Sequence, residues 1–128
     1  KVYDEDMDIY SPCALGATIN DATINQLKCS VIAGAANNQL MDEKLHGEIL
    51  FQKGIVYAPD YLINAGGVIN CYAEIHDISD DKVMDMAGNI YNTTRDILIS
   101  SRDENIPTSL AANRLAEKRI KNESEKLK

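Results

Sequence analysis

The chain has 128 residues, 45% of them hydrophobic, and thirteen basic against twenty acidic side chains give a net charge of −7. That length suits one small domain or a piece of a larger one, and the hydrophobic content is enough to bury a core. The acidic balance argues against nucleic acid or an anionic membrane as a general partner. No apolar run approaches the length of a membrane span, and no signal peptide is expected at the start.

The core must be aliphatic, because there is no Trp and Phe51 is the single Phe. Cys13, Cys29 and Cys71 are odd in number and widely spaced, with no CxxC pair and no metal-ligand spacing to His46 or His76. A reduced, cytoplasmic protein without a metal site is the expectation. "KVYDEDMDIYSPCA" has no initiator Met and soon enters an apolar run, which leads us to expect a chain that begins partway through a domain.

Three short apolar runs are bounded by Gly, Pro or Asn: Met7 to Ala14, Cys29 to Ala36 and Gly54 to Pro59. None alternates cleanly, the pattern of parallel strands covered on both faces. Between the first two, Asn20 or Asp21 can cap a short helix ending near Lys28. Between the second and third, Asp42 opens a helix that Gly54 terminates. Strands alternating with helices imply βαβ units.

From Gly67 onward the period is helical. Val83, Ala87, Ile90, Tyr91, Thr94, Ile97 and Leu98 share a face of one helix, with Ser79 as its N-cap. A last helix starts near Pro107 or Thr108, with Leu110, Ala111, Leu115 and Ile120 as its apolar stripe and a frayed tail beyond Asn122.

Most candidate sites dissolve on inspection. "DISDDKVMD" lacks the glycine and glutamate of a calcium loop, so helix capping accounts for its acids. His46 and His76 have no nucleophile or orienting carboxylate evident in sequence and are expected to be solvated. Cys13 is expected to be a small, buried strand-end thiol rather than a nucleophile, since no basic partner is near it. There is no GxGxxG, no P-loop and no assignable acid or base.

Two features remain open. Asn37 and Asn38 lie just past the second strand, at the carboxyl edge where parallel sheets bind ligands, but could simply cap a turn. Gly66 and Gly67 begin a helix just past the third strand. They permit either a ligand's close approach or tight helix–sheet packing.

In chain order, "DIYSPCALGATIND", "VIAGAANNQL", "HGEILFQKGIVYAPDYLINAGGVIN" and "AANRLAEKRI" resemble the amino-acid dehydrogenases of the glutamate dehydrogenase superfamily, closest to the leucine, valine and phenylalanine branch. The resemblance runs from about Asp8 to Ile120. It implies an α/β fold: the second half of a Rossmann-like NAD-binding domain over residues 1–78, with about three parallel strands, then a C-terminal helical segment over 79–128. It implies a fragment of an enzyme that oxidatively deaminates an apolar L-amino acid to its 2-oxo acid and ammonia, with NAD as cofactor.

The glycine-rich turn, the acidic ribose reader and the catalytic lysine and aspartate of that family have no counterpart here, so no catalytic residue is assigned and the isolated chain is expected to be inactive. By resemblance, Cys13 and Ala14 in the Pro12–Gly16 loop lie against the dinucleotide. Asn37 or Asn38, with Asn38 favoured, meets the nicotinamide ribose and the substrate carboxylate. Asn64 faces the carboxamide, and Val68 and Cys71 line the substrate pocket. Leucine-type members usually carry valine where Cys71 stands, so the fine preference is left open. The alternative is a non-catalytic, self-assembling α/β module whose unpaired sheet edge seeks a partner. Homo-oligomerisation is expected either way.

Overall fold

Pro12, Gly34 and Pro59 each stand two residues beyond a two-residue strand, and together they explain why the three apolar runs yield so little sheet. Proline has no N–H to give a ladder. Gly34 lies so close to Pro12 that an added Cβ would sit 2.5 Å from the proline nitrogen. The computed structural model describes residues 2–126, in which β1 (Ile9–Tyr10), β2 (Val31–Ile32) and β3 (Val56–Tyr57) form one parallel sheet in the order β1-β2-β3. Ile9, Val31 and Val56 share one register row, and Tyr10, Ile32 and Tyr57 the next.

The expected parallel α/β arrangement is therefore present, with three differences. The first is coverage. Tyr10, Ile32 and Tyr57 are buried, whereas Ile9 is 58% and Val56 41% exposed, so the described residues cover one face rather than both. The second is the segment after Asn20, which is a series of turns and not a helix. Side chains there satisfy the backbone instead: Asn20 Oδ1 accepts from the Ala22 amide at 3.0 Å, and the Thr23 hydroxyl donates to the Thr18 carbonyl at 2.6 Å. The third is His46, which is buried rather than solvated. Its Nδ1 accepts from the Asp42 amide at 2.9 Å and its Nε2 faces Asp21 Oδ1 at 3.1 Å, an orienting carboxylate 25 residues away in sequence. His76 is exposed, with its ring tilted 43° against that of Tyr72 at a centroid distance of 4.3 Å.

Helix α1 (Glu43–Gln52) begins and ends where its caps dictate. Asp42 accepts from the Leu45 amide at 2.8 Å, and Gly54 takes φ +72° as the left-handed terminator. Ile19, Ile24, Leu27, Ile32, Leu40 and Leu50 join the strand residues in the main core.

Beyond β3 come α2 (Asp60–Ile63), α3 (Gly66–Ile75), α4 (Asp80–Glu104) and α5 (Thr108–Lys126). Ser79 stands at the N-cap of α4, although its hydroxyl makes no capping bond. The buried row of α4 is Thr93, Ile97 and Ser101, shifted from the expected face, and Tyr91 is 71% exposed. Small side chains win that row because α5 presses Ala111 and Ala112 against Ile97. On α5 Leu110 is 40% and Ile120 71% exposed, so the buried residues are not the expected stripe, and the helix runs past Asn122 to Lys126. No helix among the described residues is long and apolar enough to cross a membrane.

Candidate functional site

Three loops leave the carboxyl edge of the sheet, residues 11–17 after β1, 33–39 after β2 and 58–65 after β3, and short contacts tie them together. The Ala36 amide donates to the Pro12 carbonyl at 2.9 Å, and the Ala17 amide to the Asn38 carbonyl at 2.6 Å. Asn64 Nδ2 donates to Asn37 Oδ1 at 2.5 Å and reaches the Ala35 carbonyl at 3.4 Å. The crevice is therefore built by strand termination: each strand stops early and its loop folds onto the next.

Cys13 sits at its first corner and is exposed rather than buried, because β1 ends at Tyr10 and the chain has already turned out of the sheet at Pro12. The Ala35 amide donates to its Sγ at 3.5 Å, and the Ser11 hydroxyl lies 3.3 Å away. Those two contacts, the amide foremost, hold the exposed thiol below its usual range. Ala14 and Leu15 beside it are exposed. Gly16 is needed for closeness, since an added Cβ would lie 2.8 Å from the Asn37 carbonyl oxygen.

Asn37 and Asn38 are exposed at the crevice, but their amides differ. Asn37 Oδ1 is occupied by Asn64, whereas the side-chain amide of Asn38 has no partner among the described residues. Asn38 also takes φ +51°, a left-handed conformation that asparagine tolerates better than most.

The third loop carries Asp60, which is buried with 7% exposure. Its Oδ2 accepts from the Gln39 amide at 2.7 Å and from the Tyr57 hydroxyl at 3.2 Å. Burial, and next the Asp60 charge, push the Tyr57 hydroxyl well above the ordinary tyrosine range. Gln39 is fully buried and its Oε1 has no partner among the described residues, a deficit worth about 1–3 kcal/mol. The sequence did not single out Gln39 or Asp60. Asp60 opens α2 directly after Pro59, where a first-turn acid is common enough that the sequence alone gives no sign of its burial.

Helix α3 completes the edge. A Cβ added at Gly66 or Gly67 would meet nothing within 4 Å. Close packing among the described residues therefore does not account for the pair. Val68 is 73% exposed, and Cys71 is exposed three residues along the same helix. The loops bring Cys13, Asn37, Asn38 and Asn64 together, whereas Val68 and Cys71 stand on α3, which follows Asn64 in the chain.

A second concavity lies elsewhere, a groove of about 670 Å³ between α1, β3 and α4 lined by Phe51, Tyr57, Tyr91, Leu98 and Ile99 among others. It is apolar and holds none of the strand-end amides, so we place the candidate site at the sheet edge. No cluster of three potential metal-donor side chains occurs among the described residues.

Fold and site together define a parallel α/β chain with an amide-rimmed crevice at the carboxyl edge of its sheet. The crevice suits recognition by hydrogen bonds more than proton transfer. The chain belongs to the Glutamate/Leucine/Phenylalanine/Valine dehydrogenase family, whose model matches residues 1–127. It is 52% identical over 120 residues to a leucine dehydrogenase of Thermoactinomyces intermedius, covering 94% of this chain and 32% of that protein. It is 54% identical over 119 residues to a leucine dehydrogenase of Bacillus subtilis, again covering 32% of the relative. The crystal structure of L-tryptophan dehydrogenase from Nostoc punctiforme superposes with a TM-score of 0.93 at 47% identity, over 98% of this chain and 37% of that one. The chain thus spans about a third of the length of the relatives it matches.

Proposed function

We propose that this chain forms one wall of the NAD and substrate site of a leucine-type L-amino-acid dehydrogenase, as the second half of its Rossmann-like dinucleotide-binding domain (1–78) and a C-terminal helical segment (79–128). The observation that carries this is the open space over Gly66 and Gly67, two and three residues past Asn64, whose side chain in turn bonds Asn37 at the carboxyl edge. The residues present fit the nicotinamide half of a dinucleotide. The free Asn38 amide can donate to a substrate carboxylate or a ribose hydroxyl, and Asn64, with its Nδ2 held by Asn37, can accept from a carboxamide at its oxygen. Cys13 and Ala14 are exposed on the loop after β1, where the dinucleotide can lie against them. Val68 and Cys71 give a small apolar wall for an aliphatic or aromatic side chain. When bound, NAD supplies the hydride acceptor for oxidation of the amino acid. Among the described residues no acid or base at this crevice is set to carry the proton from the amino group, and in this reading that group belongs to a part of the enzyme outside these 128 residues.

The test compares two proteins. The pure 128-residue chain should form no NADH from L-leucine and NAD, and the product of a reading frame extended upstream should form it readily. Turnover by the short chain, or none by the long one on any apolar L-amino acid, would overturn the assignment.

A second reading, a non-catalytic module that self-assembles, is favoured by one observation. Among the described residues the edge strand β1 pairs only with β2 and leaves Ile9 58% exposed. Light scattering that shows a stable monomer at high concentration would count against it.

A further inference from the structure

We propose that Gln39 and Asp60 act as positioning residues, a buried latch that sets the loop carrying Asn37 and Asn38 and so fixes where those amides point; its bearing on ligands rests on the assignment above. Gln39 closes the loop from within. Its side-chain amide donates to the Gly34 carbonyl at 2.6 Å and to the Ala36 carbonyl at 3.0 Å. Its backbone amide crosses to Asp60 Oδ2 at 2.7 Å, a charge-assisted bond to a residue 21 positions on. One end of the loop is therefore pinned at Gly34 against Pro12, and the other at Gln39 against Asp60. Asn37 and Asn38 lie between the pins.

Core packing does not account for this arrangement. Gln39 is fully buried, yet its Oε1 has no partner among the described residues. A leucine or methionine would fill that space without an orphan acceptor. The side chain is kept for its two donors, and both are spent on loop carbonyls. Asp60 is likewise a buried carboxylate that faces donors, the Gln39 amide and the Tyr57 hydroxyl, and no cation among the described residues. Its own amide returns a bond to the Tyr57 oxygen at 3.3 Å, so strand β3, the start of α2 and the 33–39 loop meet at one carboxylate. Neither residue reaches the crevice surface, and both act through the loop.

Amide hydrogen exchange on the ¹⁵N-labelled chain tests the latch without any ligand. In Gln39→Met and Asp60→Ala, the Ala36 and Ala17 amides should exchange at least tenfold faster, while those of Leu50 in α1 and Ile97 in α4 keep their protection. Asp60→Asn retains an acceptor for the Gln39 amide and should fall between. If Asp60→Ala fails to fold, Gln39→Met and Asp60→Asn carry the comparison. Unchanged exchange at Ala36 and Ala17 in those two variants overturns the latch, and so does an equal rise at Leu50 and Ile97.

Titration with NADH then separates the two claims. A loosened loop with a weakened NADH response at the Asn37 and Asn38 side-chain amides supports the positioning role. A loosened loop with an undiminished response overturns it. A wild-type chain that shows no NADH response at those amides counts against the site assignment, and the exchange data still decide the latch.

Discussion

Ala17 and Asn38 both occupy the left-handed region, at φ 55° and 51°, and the Ala17 amide donates to the Asn38 carbonyl at 2.6 Å. Two strained non-glycine residues bonded to each other mark the seam between the loops after β1 and β2. Alanine gives up roughly 1–2 kcal/mol to stand there, asparagine less. Surrounding contacts must hold the seam, namely the Ala36 bond to Pro12, the Asn64 bond to Asn37 and the latch at Gln39.

Replacing Ala17 by Gly should relieve the strain at the cost of unfolded-state freedom, leaving a net gain of about 0.5 kcal/mol. Gly16→Ala should do the reverse. Its Cβ would meet the Asn37 carbonyl oxygen at 2.8 Å, and backbone cannot step aside as a side chain can, so a loss of about 1–3 kcal/mol is expected. Urea unfolding measures both. A Gly16→Ala protein as stable as wild type would show that the seam is loose.

Gly67→Ala separates stability from binding. The residue is helical, and an added Cβ meets nothing within 4 Å, so the substitution should stabilise the chain by about 0.4–1 kcal/mol. If the open space belongs to a ligand, the same methyl group should weaken NADH or substrate binding in the longer enzyme. A higher Tm with unchanged KM for both would place the ligand elsewhere.

Sequence carried the architecture further than it carried the site. Asp42 and Gly54 announced both ends of α1, because a cap is a local event between residues three or four apart. The segment from Asn20 to Gln26 misled. Its Asn and Thr side chains compete for the backbone, and periodicity does not register that competition. His46 misled for a different reason: the Asp21 that holds it is 25 residues distant, and only the fold makes them neighbours. Asn37 and Asn38 were visible as polar residues past a strand. Their division of labour was not, since it depends on Asn64 reaching back across 27 residues. Gln39 and Asp60 were hidden for the same reason.

Thiol labelling should follow the structure in order. Cys13 is exposed and its thiolate is favoured by the Ala35 amide and then the Ser11 hydroxyl, whereas Cys29 is buried and pushed up by that burial. A disulfide reagent at neutral pH should modify Cys13 far faster than Cys29, which should wait for unfolding. Single-cysteine variants read each rate. Saturating NADH should slow Cys13 if the dinucleotide lies on its loop. Equal rates for Cys13 and Cys29 in the native chain would contradict the burial.

Tyr61 predicts how alkali affects the fold. Its hydroxyl donates to Asn113 Oδ1 at 3.1 Å, and Asn113 Nδ2 donates to Glu43 Oε1 at 2.9 Å, so one chain of bonds ties α2, α5 and α1. Burial first, then the charges of Glu43 and Asp60, push Tyr61 up to about 12 from 10.0. The folded state therefore keeps its proton where the unfolded state has lost it. The stability this represents is fully present below pH 10 and is lost as pH rises from about 10 to 12. Because Tyr61 is 45% exposed, the effect is discounted by solvent, and its sign is the firmer claim. Absorbance titration at the phenolate band, wild type minus Tyr61→Phe, should reveal a component with a midpoint near 12. A midpoint near 10 would mean that α2 does not bury the ring against its neighbours, and the bond to Asn113 should then be absent too.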